Sequence, residues 1–469
     1  MVELDLVVQN GTVVTAGDIY RADVGIAGER IAALGEGLRG QRVLDAQGMY
    51  VMPGFVDAHV HMQLPAGGLV SADDFRSGTV AAACGGTTTI VDFVTPGRGQ
   101  PLREALAARR AEADGQVAVD YALHLTAVDA APQTLDALPA LAGEGYTTLK
   151  MYTTYPGLRL DDGEMLAVME ACREAGILPL VHAENDQAIA YLRTRLLAQG
   201  QTGPAQHPHS RPPLVEVEAV HRALALAGLA STPVYLVHLS CAGSLAALQA
   251  ARARGQVACA EVCVQHLLLS DQAYRLPGFE GAHFVLAPPL RPAAHQAALW
   301  RALADGVLDV VSTDHCPWTR AQRARGRDDW TQIPNGIPGV ETRVPLMFQE
   351  GVHAGRLSLQ RMVDVCATAP AQWMGLYPRK GTVAVGSDAD LVLLDPSQAW
   401  TLHAGQLHQN VDHCPYEGWQ GHGRPHTVLL RGQVIVRAGE FVAGESVAEA
   451  AGGTFLPRRR FVQKPCSRS

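Results

Sequence analysis

The feature that most constrains the fold of this chain is an alternation of short apolar runs with segments of helical periodicity. Segments with helix-period apolar residues stand between the runs, most clearly at 102–113, 164–174, 215–227, 244–253 and 293–303. Strands that alternate with helices predict a parallel sheet covered by helices. Eight runs are present, as a TIM-type (β/α)8 barrel requires: 51–58, 88–94, 117–125, 146–151, 177–182, 233–238, 257–264 and 307–313.

A doubly wound open sheet could use the same alternation of strands and helices. That fold would place a glycine-rich phosphate fingerprint after an early strand, and this sequence has none there. We therefore adopt the barrel as the fold class, in the α/β group.

The two flanks of the barrel have a different texture. Residues 4–11 and 24–34 are typical of strands and hairpin turns, and the pattern returns at 381–394 and 427–436. We predict a barrel domain at 51–370 and one small discontinuous β-sandwich made from 1–50 and 371–452. The tail, 453–469, is expected either to lie as an arm on a neighbouring subunit or to be disordered.

Composition excludes several classes of function. A formal charge of -8 gives no electrostatic case for nucleic acid or an anionic membrane as partner. No apolar run approaches the roughly 20 residues of a membrane span, and we expect a cytoplasmic protein. Nine cysteines without CxxC pairing predict reduced, mostly buried thiols. The arginine-rich stretches 320–327 and 458–460 are expected to be solvated.

Chemistry-bearing residues stand at the ends of four of the apolar runs. His59 and His61 are two residues apart, so on an extended chain their rings point to the same side. His182, His238 and Asp314 end later runs. The carboxyl ends of barrel strands meet at the mouth of the barrel, where barrel enzymes keep their active sites. Imidazole and carboxylate groups in one place suit zinc, manganese or cobalt.

Lys150 ends a further run and is unusual in this chain. Of 38 basic residues only Lys150, Lys380 and Lys464 are lysine. Arginine stays protonated in proteins, whereas a buried lysine amine can lose its proton and act as a nucleophile or be modified. An isolated lysine at a strand end would more often reach into water. Its position among the histidines favours a role in the site.

At these residues the chain resembles the dihydropyrimidinase and hydantoinase branch of the amidohydrolase superfamily, the cyclic amidohydrolases. The segment 54–61 is similar to the metal motif of that superfamily, and the similarity runs from the N-terminal strands to about Phe455. The segments that narrow the match to this branch are 148–155, 287–291, 312–317, 333–341 and 375–382.

The resemblance implies two divalent metal ions per chain, with zinc expected first and manganese or cobalt as alternatives. Lys150 would be carbamylated by CO2, as N6-carboxylysine, and would bridge the ions, because a carbamate supplies the anionic oxygens that an ammonium lacks. His59, His61 and Asp314 would hold the more buried ion. His182 and His238 would hold the other. A hydroxide between the ions would attack the ring carbonyl, with Asp314 as general base and then general acid.

Three further positions match substrate contacts of the family. Tyr155 corresponds to the tyrosine that donates to the developing oxyanion. Asn335 corresponds to a position that holds the cyclic amide through its backbone. Ala287 stands where family members commonly have serine, and this departure is tolerable only if the contact is made by backbone atoms. His124 is expected to be a core or supporting residue and not a ligand.

The resemblance also narrows the substrate. Met62 and Gln63 stand where dihydroorotase-like relatives have a carboxylate-binding Leu-Arg pair, so dihydroorotate is not expected. Hydantoins with a 5-substituent and dihydropyrimidines, opened to N-carbamoyl amino acids, are the expected substrates, and allantoin stays an alternative. The apolar residues of loops 62–72 and 152–160, which are Leu64, Leu69, Val70, Tyr152 and Leu158, favour a hydrophobic or aromatic exocyclic group.

Two other classes of function compete with this hypothesis. A non-catalytic scaffold of the same fold would lack metal ligands, whereas all six ligand positions are filled here. A mononuclear amidohydrolase such as a deaminase would not need Lys150. The resemblance further implies a homotetramer, with residues 410–418 and the tail as candidate contacts.

Overall fold

The computed structural model describes residues 3–442 and 452–461 and contains the predicted barrel. Its central sheet has eight parallel strands that pair with their neighbours in chain order. The fold class is therefore confirmed. The barrel strands are Phe55–Asp57, Thr87–Val94, Asp120–Thr126, Thr148–Tyr152, Leu178–His182, Val234–Leu236, Ala258–Cys263 and Val310–Ser312.

Arg343 joins the first barrel strand to the last. Its Nη1 donates to the carbonyl oxygens of Val56, at 2.9 Å, and Val311, at 2.8 Å. Across the same seam the Thr313 hydroxyl donates to Asp57 at 2.8 Å. The guanidinium is fully buried and donates to carbonyls that would otherwise accept hydrogen bonds from the backbone of a neighbouring strand.

Helices cover the outside of the barrel, and their ends follow local sequence signals. Asp161 caps one helix through a reciprocal pair of hydrogen bonds with Glu164, and Gly176 ends that helix at a φ of 70°. The eight main helices are Phe75–Cys84, Leu102–Ala113, Pro132–Gly143, Asp162–Ala175, Asp186–Ala198, Pro213–Leu229, Ala242–Ala253 and Ala294–Ala304.

Shorter helical pieces fill the connections and the end of the barrel. The α-helical pieces are His207–Ser210, Val264–Leu268, Arg320–Arg323, Arg343–Leu346, Leu359–Val363 and Ala369–Trp373, with π-helical turns at Met347–His353 and Asp364–Thr368. The 3-10 turns are Pro204–Gln206, Asp271–Arg275, Glu280–Phe284, Ala324–Gly326, Trp330–Gln332 and Ala404–Gln406.

Two further sheets form the sandwich, and both flanks of the barrel contribute to it. Val8, Ile26 and Leu391 belong to the apolar cluster between the sheets. A four-stranded sheet contains Leu6–Gln9, Asp23–Ala27, Arg30–Gly35 and Arg42–Asp45. A seven-stranded sheet contains Thr12–Val14, Ile19–Arg21, Tyr50–Pro53, Leu391–Thr401, Gln420–Leu430, Gln433–Arg437 and Glu440–Phe441.

The structure divides two segments differently from the sequence analysis. The run 51–58 is not one barrel strand: Tyr50–Pro53 pairs within the sandwich and Phe55–Asp57 within the barrel, with Gly54 between them. A Cβ at Gly54 would lie 2.1 Å from the Thr88 hydroxyl, so only glycine fits at this crossing. Farther on, the strand predicted at 381–394 begins only at Leu391.

The described part of the tail contradicts both expectations for it. Residues 452–461 lie against the amino-terminal end of their own barrel, where Leu456 N–H donates to Tyr121 O at 2.8 Å. Arg458 is buried, and its guanidinium donates to the Leu123 carbonyl, so this arginine is not solvated. Burial lowers the pKa of Arg458 to about 9. Residues 443–451 and 462–469 lie outside the described residues.

Three other predictions from composition can be compared with the structure. All eight cysteines within the described residues are buried and free, and Cys466 lies outside them. In the arginine-rich stretch 320–327, Arg323 is fully buried, and its guanidinium donates to the carbonyls of Ala282 and Gly336. That stretch is therefore only partly solvated. Within 3–442 and 452–461, none of the helices is long and apolar enough to cross a membrane.

Candidate active site

One cavity of about 660 Å³ opens at the carboxyl-terminal end of the barrel. The histidines, Lys150 and Asp314 of its lining come from strand ends, whereas Arg109 and Glu112 come from the helix Leu102–Ala113. The cavity brings together all the residues that the sequence predicted for the site, which are His59, His61, Lys150, Tyr155, His182, His238, Ala287, Asp314 and Asn335.

A first cluster forms where the first and last strands meet. The Nε2 atoms of His59 and His61 lie 3.2 Å and 3.0 Å from Oδ1 of Asp314. One potential ligand atom from each residue lies within 4.8 Å of the others. The arrangement follows from the two-residue spacing of the histidines, which places both rings on one side of the extended chain.

A second pair of imidazoles lies beside this cluster. The ring centroids of His182 and His238 are 4.5 Å apart, and that of His238 is 5.4 Å from His59. Burial lowers the pKa of His182 and His238, so both rings are neutral at physiological pH. Neutral imidazole is the form that binds a metal ion.

Lys150 lines the same cavity as both groups and is almost completely buried. Its Nζ is 5.2 Å from the ring centroids of both Phe93 and Tyr152. Burial lowers the pKa of Lys150 to about 8, with Asp314 and Glu261 opposing the shift. About a tenth of this amine is therefore unprotonated at pH 7, far more than of a surface lysine.

Glu261 is a supporting residue that the sequence analysis missed. Its carboxylate accepts from His59 Nδ1 at 2.8 Å, from the His238 backbone N–H at 3.1 Å and from the Tyr235 hydroxyl at 2.8 Å. It therefore directs His59 Nε2 toward the cavity and holds the backbone of His238. The available signal was a lone acidic residue within the apolar run 257–264.

Glu184 orients the ring of His182 in the same way, and the sequence analysis also missed it. Its Oε2 lies 2.8 Å from His182 Nε2 and 2.5 Å from Arg211 Nη1. Burial alone would raise the pKa of Glu184, but Arg211 and His182 lower it to about 2. The ionised carboxylate keeps Nε2 occupied, so that Nδ1 is the nitrogen left for a ligand.

Three residues of the cavity have backbone conformations that side chains rarely adopt. The φ angles of Tyr155, His238 and Asp314 are 76°, 38° and 50°. Such conformations cost on the order of 1–3 kcal/mol each and persist where the surrounding structure holds them. Their concentration at one cavity is typical of an active site.

The remaining predicted residues line the cavity wall. Tyr155 stacks edge-on to His182 at 5.3 Å, with the Arg211 guanidinium 5.4 Å from its ring. The Asn335 carbonyl accepts from the Trp318 indole at 2.9 Å, and Ala287 presents its backbone and methyl group. Both ring nitrogens of His124 are hydrogen-bonded, to Thr148 and to Ala58, which agrees with a supporting role.

The loops predicted to shape the cavity do so in large part. Leu64, Leu69, Tyr152 and Leu158 line it. Val70 does not, since it is half exposed on the outer side of the hairpin Pro65–Ala66 and Leu69–Val70. The wall near the imidazoles is thus apolar, as the sequence indicated.

The donor set fits a pair of divalent metal ions. Within the described residues, Nδ1 of His61 and of His238 are buried without a hydrogen-bond partner. Such atoms cost free energy unless something binds them. Four imidazoles, one carboxylate and a partly unprotonated lysine together match the ligand preferences of zinc, manganese and cobalt.

Comparisons with known proteins extend the resemblance to nearly the whole chain. The amidohydrolase family matches residues 50–435. A D-hydantoinase of Rhizobium radiobacter is 45% identical over 464 residues, covering 98% of this chain and all of the relative. A D-hydantoinase of Ralstonia pickettii is 44% identical over 463 residues, with the same coverage. The crystal structure of dihydropyrimidinase from Brevibacillus agri NCHU1002 has a TM-score of 0.95 at 43% identity, covering 98% of this chain and 99% of that one.

Proposed function

The chain belongs to the amidohydrolase family, and from that membership we propose that it is a metal-dependent hydrolase of cyclic amides, opening hydantoin and dihydropyrimidine rings. One observation carries the proposal: four histidines, Lys150 and Asp314 converge on one cavity in a chain so similar to D-hydantoinases. The products are N-carbamoyl amino acids, because the bond that breaks joins the ring carbonyl to the ring nitrogen.

We assign the ligands to two ions on the grouping of the side chains. His59, His61 and Asp314 would hold one ion, and His182 and His238 the other. Lys150 lines the same cavity as both groups, and its unprotonated amine is the form that reacts with CO2 to give a carbamate, which could bridge the ions. Zinc is our first choice for both. Bound divalent ions lower the pKa of water and polarise a carbonyl oxygen.

Asp314 is suited to moving the proton. Burial alone would raise the pKa of Asp314, but His59, His61 and Lys150 lower it below the ordinary range. The carboxylate is therefore ionised when the attack begins, as a proton acceptor must be. It can then donate that proton to the departing ring nitrogen, acting as general base and then general acid.

Tyr155 and the cavity wall would bind the ring and the charge that develops on it. Burial raises the pKa of the Tyr155 phenol, so the hydroxyl keeps its proton and can donate to the oxyanion. The Asn335 carbonyl keeps one lone pair free beside its bond to Trp318 and can accept from a ring N–H. Ala287 offers only backbone atoms as polar groups, so the serine hydroxyl of relatives is dispensable in this assignment.

We infer the exocyclic group from the wall that faces it. Leu64, Leu69 and Leu158 form an apolar surface, and 660 Å³ is far larger than a five-membered ring needs. A hydrophobic or aromatic 5-substituent fits this space. The D configuration is our choice because the Rhizobium and Ralstonia relatives are D-hydantoinases.

Allantoin, itself a hydantoin, is the alternative substrate. A scaffold without catalysis is disfavoured because every ligand position is filled. A mononuclear deaminase is disfavoured because it has no use for a buried lysine at Lys150. We further propose a homotetrameric, cytoplasmic enzyme, as the family resemblance implies, with residues 410–418 as subunit contacts.

The test is ring opening followed by ultraviolet absorbance, with metal content determined on the same preparation. On protein with about two ions per chain, we expect turnover of the D enantiomer of 5-phenylhydantoin or of dihydrouracil. The L enantiomer of 5-phenylhydantoin should not be opened. Allantoin turnover alone would favour the alternative. No turnover on fully metal-loaded protein would contradict the proposed function, and one ion without a carbamate would favour the deaminase.

A further inference from the structure

A second carboxylate–imidazole pair, Asp73 and His315, lies directly behind the active site. Both side chains are fully buried, and His315 Nε2 is 3.0 Å from Asp73 Oδ2. His315 follows Asp314 in the chain, yet neither member of the pair lines the cavity. The proposed reaction makes no use of them.

The hydrogen bonds around His315 fix its tautomer. Its Nδ1 accepts from the backbone N–H groups of Gly339, at 3.0 Å, and Val340, at 3.3 Å. A nitrogen that accepts two N–H donors carries no proton, so the single proton is on Nε2 and is donated to Asp73. One imidazole therefore holds the loop that contains Asn335 on one side and a buried carboxylate on the other.

The backbone of His315 makes two more contacts with the active site. Its carbonyl accepts from the His61 N–H at 2.8 Å. Its own N–H donates to the Thr313 hydroxyl at 3.1 Å. Asp314, between Thr313 and His315, is thereby kept at its φ of 50°.

Asp73 gathers donors from three separate segments. Besides His315, it accepts from the Ser77 hydroxyl at 2.7 Å and from the Asn410 backbone N–H at 2.6 Å. Three donors satisfy the acceptor atoms of this buried carboxylate. The loop after the first strand is anchored at the same point, because Gln63 N–H donates to the Asp73 carbonyl at 2.6 Å.

We propose that Asp73 and His315 are positioning residues for the reaction, which fix Asp314, His61 and the Asn335 loop relative to one another. The proposal rests on the proposed function for its kinetic consequence. Proton transfer depends on the distance from a carboxylate to the reacting atoms, so a small displacement of Asp314 lowers kcat. A displacement of the Asn335 loop instead weakens substrate binding and raises KM.

Four variants separate these effects. His315→Asn keeps an acceptor near the position of Nδ1 and loses the donor to Asp73, whereas His315→Gln keeps reach toward Asp73 and loses the acceptor for Gly339. Asp73→Asn removes the charge from the pair. Asp74→Asn is the matched control. Asp74 is the neighbour of Asp73, its carboxylate only caps the helix Phe75–Cys84, and asparagine caps equally well.

We expect His315→Asn and Asp73→Asn each to lower kcat about 10- to 100-fold at saturating zinc, with the double variant no worse than either single one. His315→Gln should mainly raise KM, and Asp74→Asn should match the parent protein. Zinc affinity, measured by competition with a chelator, should fall in His315→Asn because the carbonyl of residue 315, which accepts from the His61 N–H, is no longer held in place by the bond from the imidazole to Asp73.

Two outcomes would overturn the proposal. One is a kcat unchanged in folded, zinc-loaded His315→Asn and Asp73→Asn, with only the melting temperature lowered, since that is what a purely structural role predicts. The other is additive losses in the double variant. If the parent protein opens none of the rings, the proposed function fails, and the zinc affinities of the same variants still decide whether the pair positions the site.

Discussion

Lys150 is the residue on which the proposed two-ion arrangement depends, because its carbamate is the proposed bridge between the ions. We predict that Lys150→Ala and Lys150→Arg both lose most bound metal and at least about 100-fold in activity. Arginine preserves volume and charge but cannot form the carbamate. Metal content by mass spectrometry and ring opening are the measurements. A metal-replete, fully active Lys150→Arg would rule out the bridge.

Glu261 supports two of the proposed ligands at once. We predict that Glu261→Gln lowers metal affinity about 10- to 100-fold, because an amide holds His59 Nδ1–H less firmly than a carboxylate. Chelator competition measures the change. Glu280→Gln, on an exposed glutamate, is the control and should leave the affinity unaltered. Equal affinities for Glu261→Gln and the parent would show that geometry and not charge holds the ring.

At this scale the sequence was informative about strand-end residues and uninformative about their supports. His59 and His61 could be predicted from their spacing, and His182, His238 and Asp314 from their places after apolar runs. Glu261 could not be assigned to its partners, because its contacts join different strands, whereas Glu184 lies two residues after His182 and only its contact with Arg211 depends on the fold. Only the fold brings Glu261 to His59, which is 202 residues away along the chain.

Among the elements, the loop 333–340 depends on Gly336. Any other residue at this position would displace the backbone of the loop. Gly336 has a φ of 125°, and a Cβ there would lie 2.6 Å from Cys316. We predict that Gly336→Ala displaces Asn335 and raises KM about tenfold, since strain of this kind is worth about 1–3 kcal/mol. Steady-state kinetics on 5-phenylhydantoin measure it.

Gly355→Ala is the matched control for that variant. Gly355 also has a positive φ, of 73°, but nothing lies within 4 Å of its added Cβ. It should lower the melting temperature and leave KM unchanged. A similar KM change in both variants would attribute the effect to general destabilisation and not to the Asn335 loop.

Strand positions could be predicted well because apolar runs of this length are typical of barrel strands. The division of the run 51–58 between two sheets could not, because Val51 and Val56 are equally apolar and equally buried. What separates them is Gly54, whose close approach to Thr88 exists only in the folded chain. The tail was mispredicted for a related reason, since Arg458 is buried by its contact with the Leu123 carbonyl of the barrel, while Arg459 and Arg460 are exposed.

In the whole molecule, a buried ionic cluster joins the barrel, the sandwich and the tail. Lys380 Nζ lies 2.6 Å from Asp120 and 2.7 Å from Asp390, and Arg431 also contacts Asp120. Thr454 N–H donates to Asp120 at 2.8 Å. Removing one partner of such a cluster leaves uncompensated buried charge, which costs about 3–5 kcal/mol.

The cluster makes stability dependent on acidity. Burial alone would raise the pKa of Asp120, but Lys380 and Arg431 hold it below its ordinary value of 3.8. The stabilisation that the ionised Asp120 contributes is therefore full above pH 3.8. It is lost as the pH falls through the lower pKa of Asp120 in the folded state. We predict that Asp120→Asn lowers the free energy of unfolding at neutral pH, and that the difference from the parent narrows below about pH 4.

Urea denaturation at neutral and acidic pH measures that difference. Asp114→Asn, on a half-exposed carboxylate, is the control and should change the free energy of unfolding by less than about 1 kcal/mol. A difference between Asp120→Asn and the parent that stays constant with pH would contradict the ionised state assigned to Asp120.

The same cluster has a consequence for motion. The chain crosses from sandwich to barrel at Gly54, and a hinge between the two would have to separate Lys380 from carboxylates on both sides. Rotation of whole domains would break these buried ion pairs, so we exclude it as the way in which the active site opens. We expect the entry of a ring and the exit of its opened product to be timed instead by the hairpin Pro65–Ala66 and Leu69–Val70, where the Gly67 carbonyl at the tip accepts from the exposed Arg325 side chain at 3.2 Å.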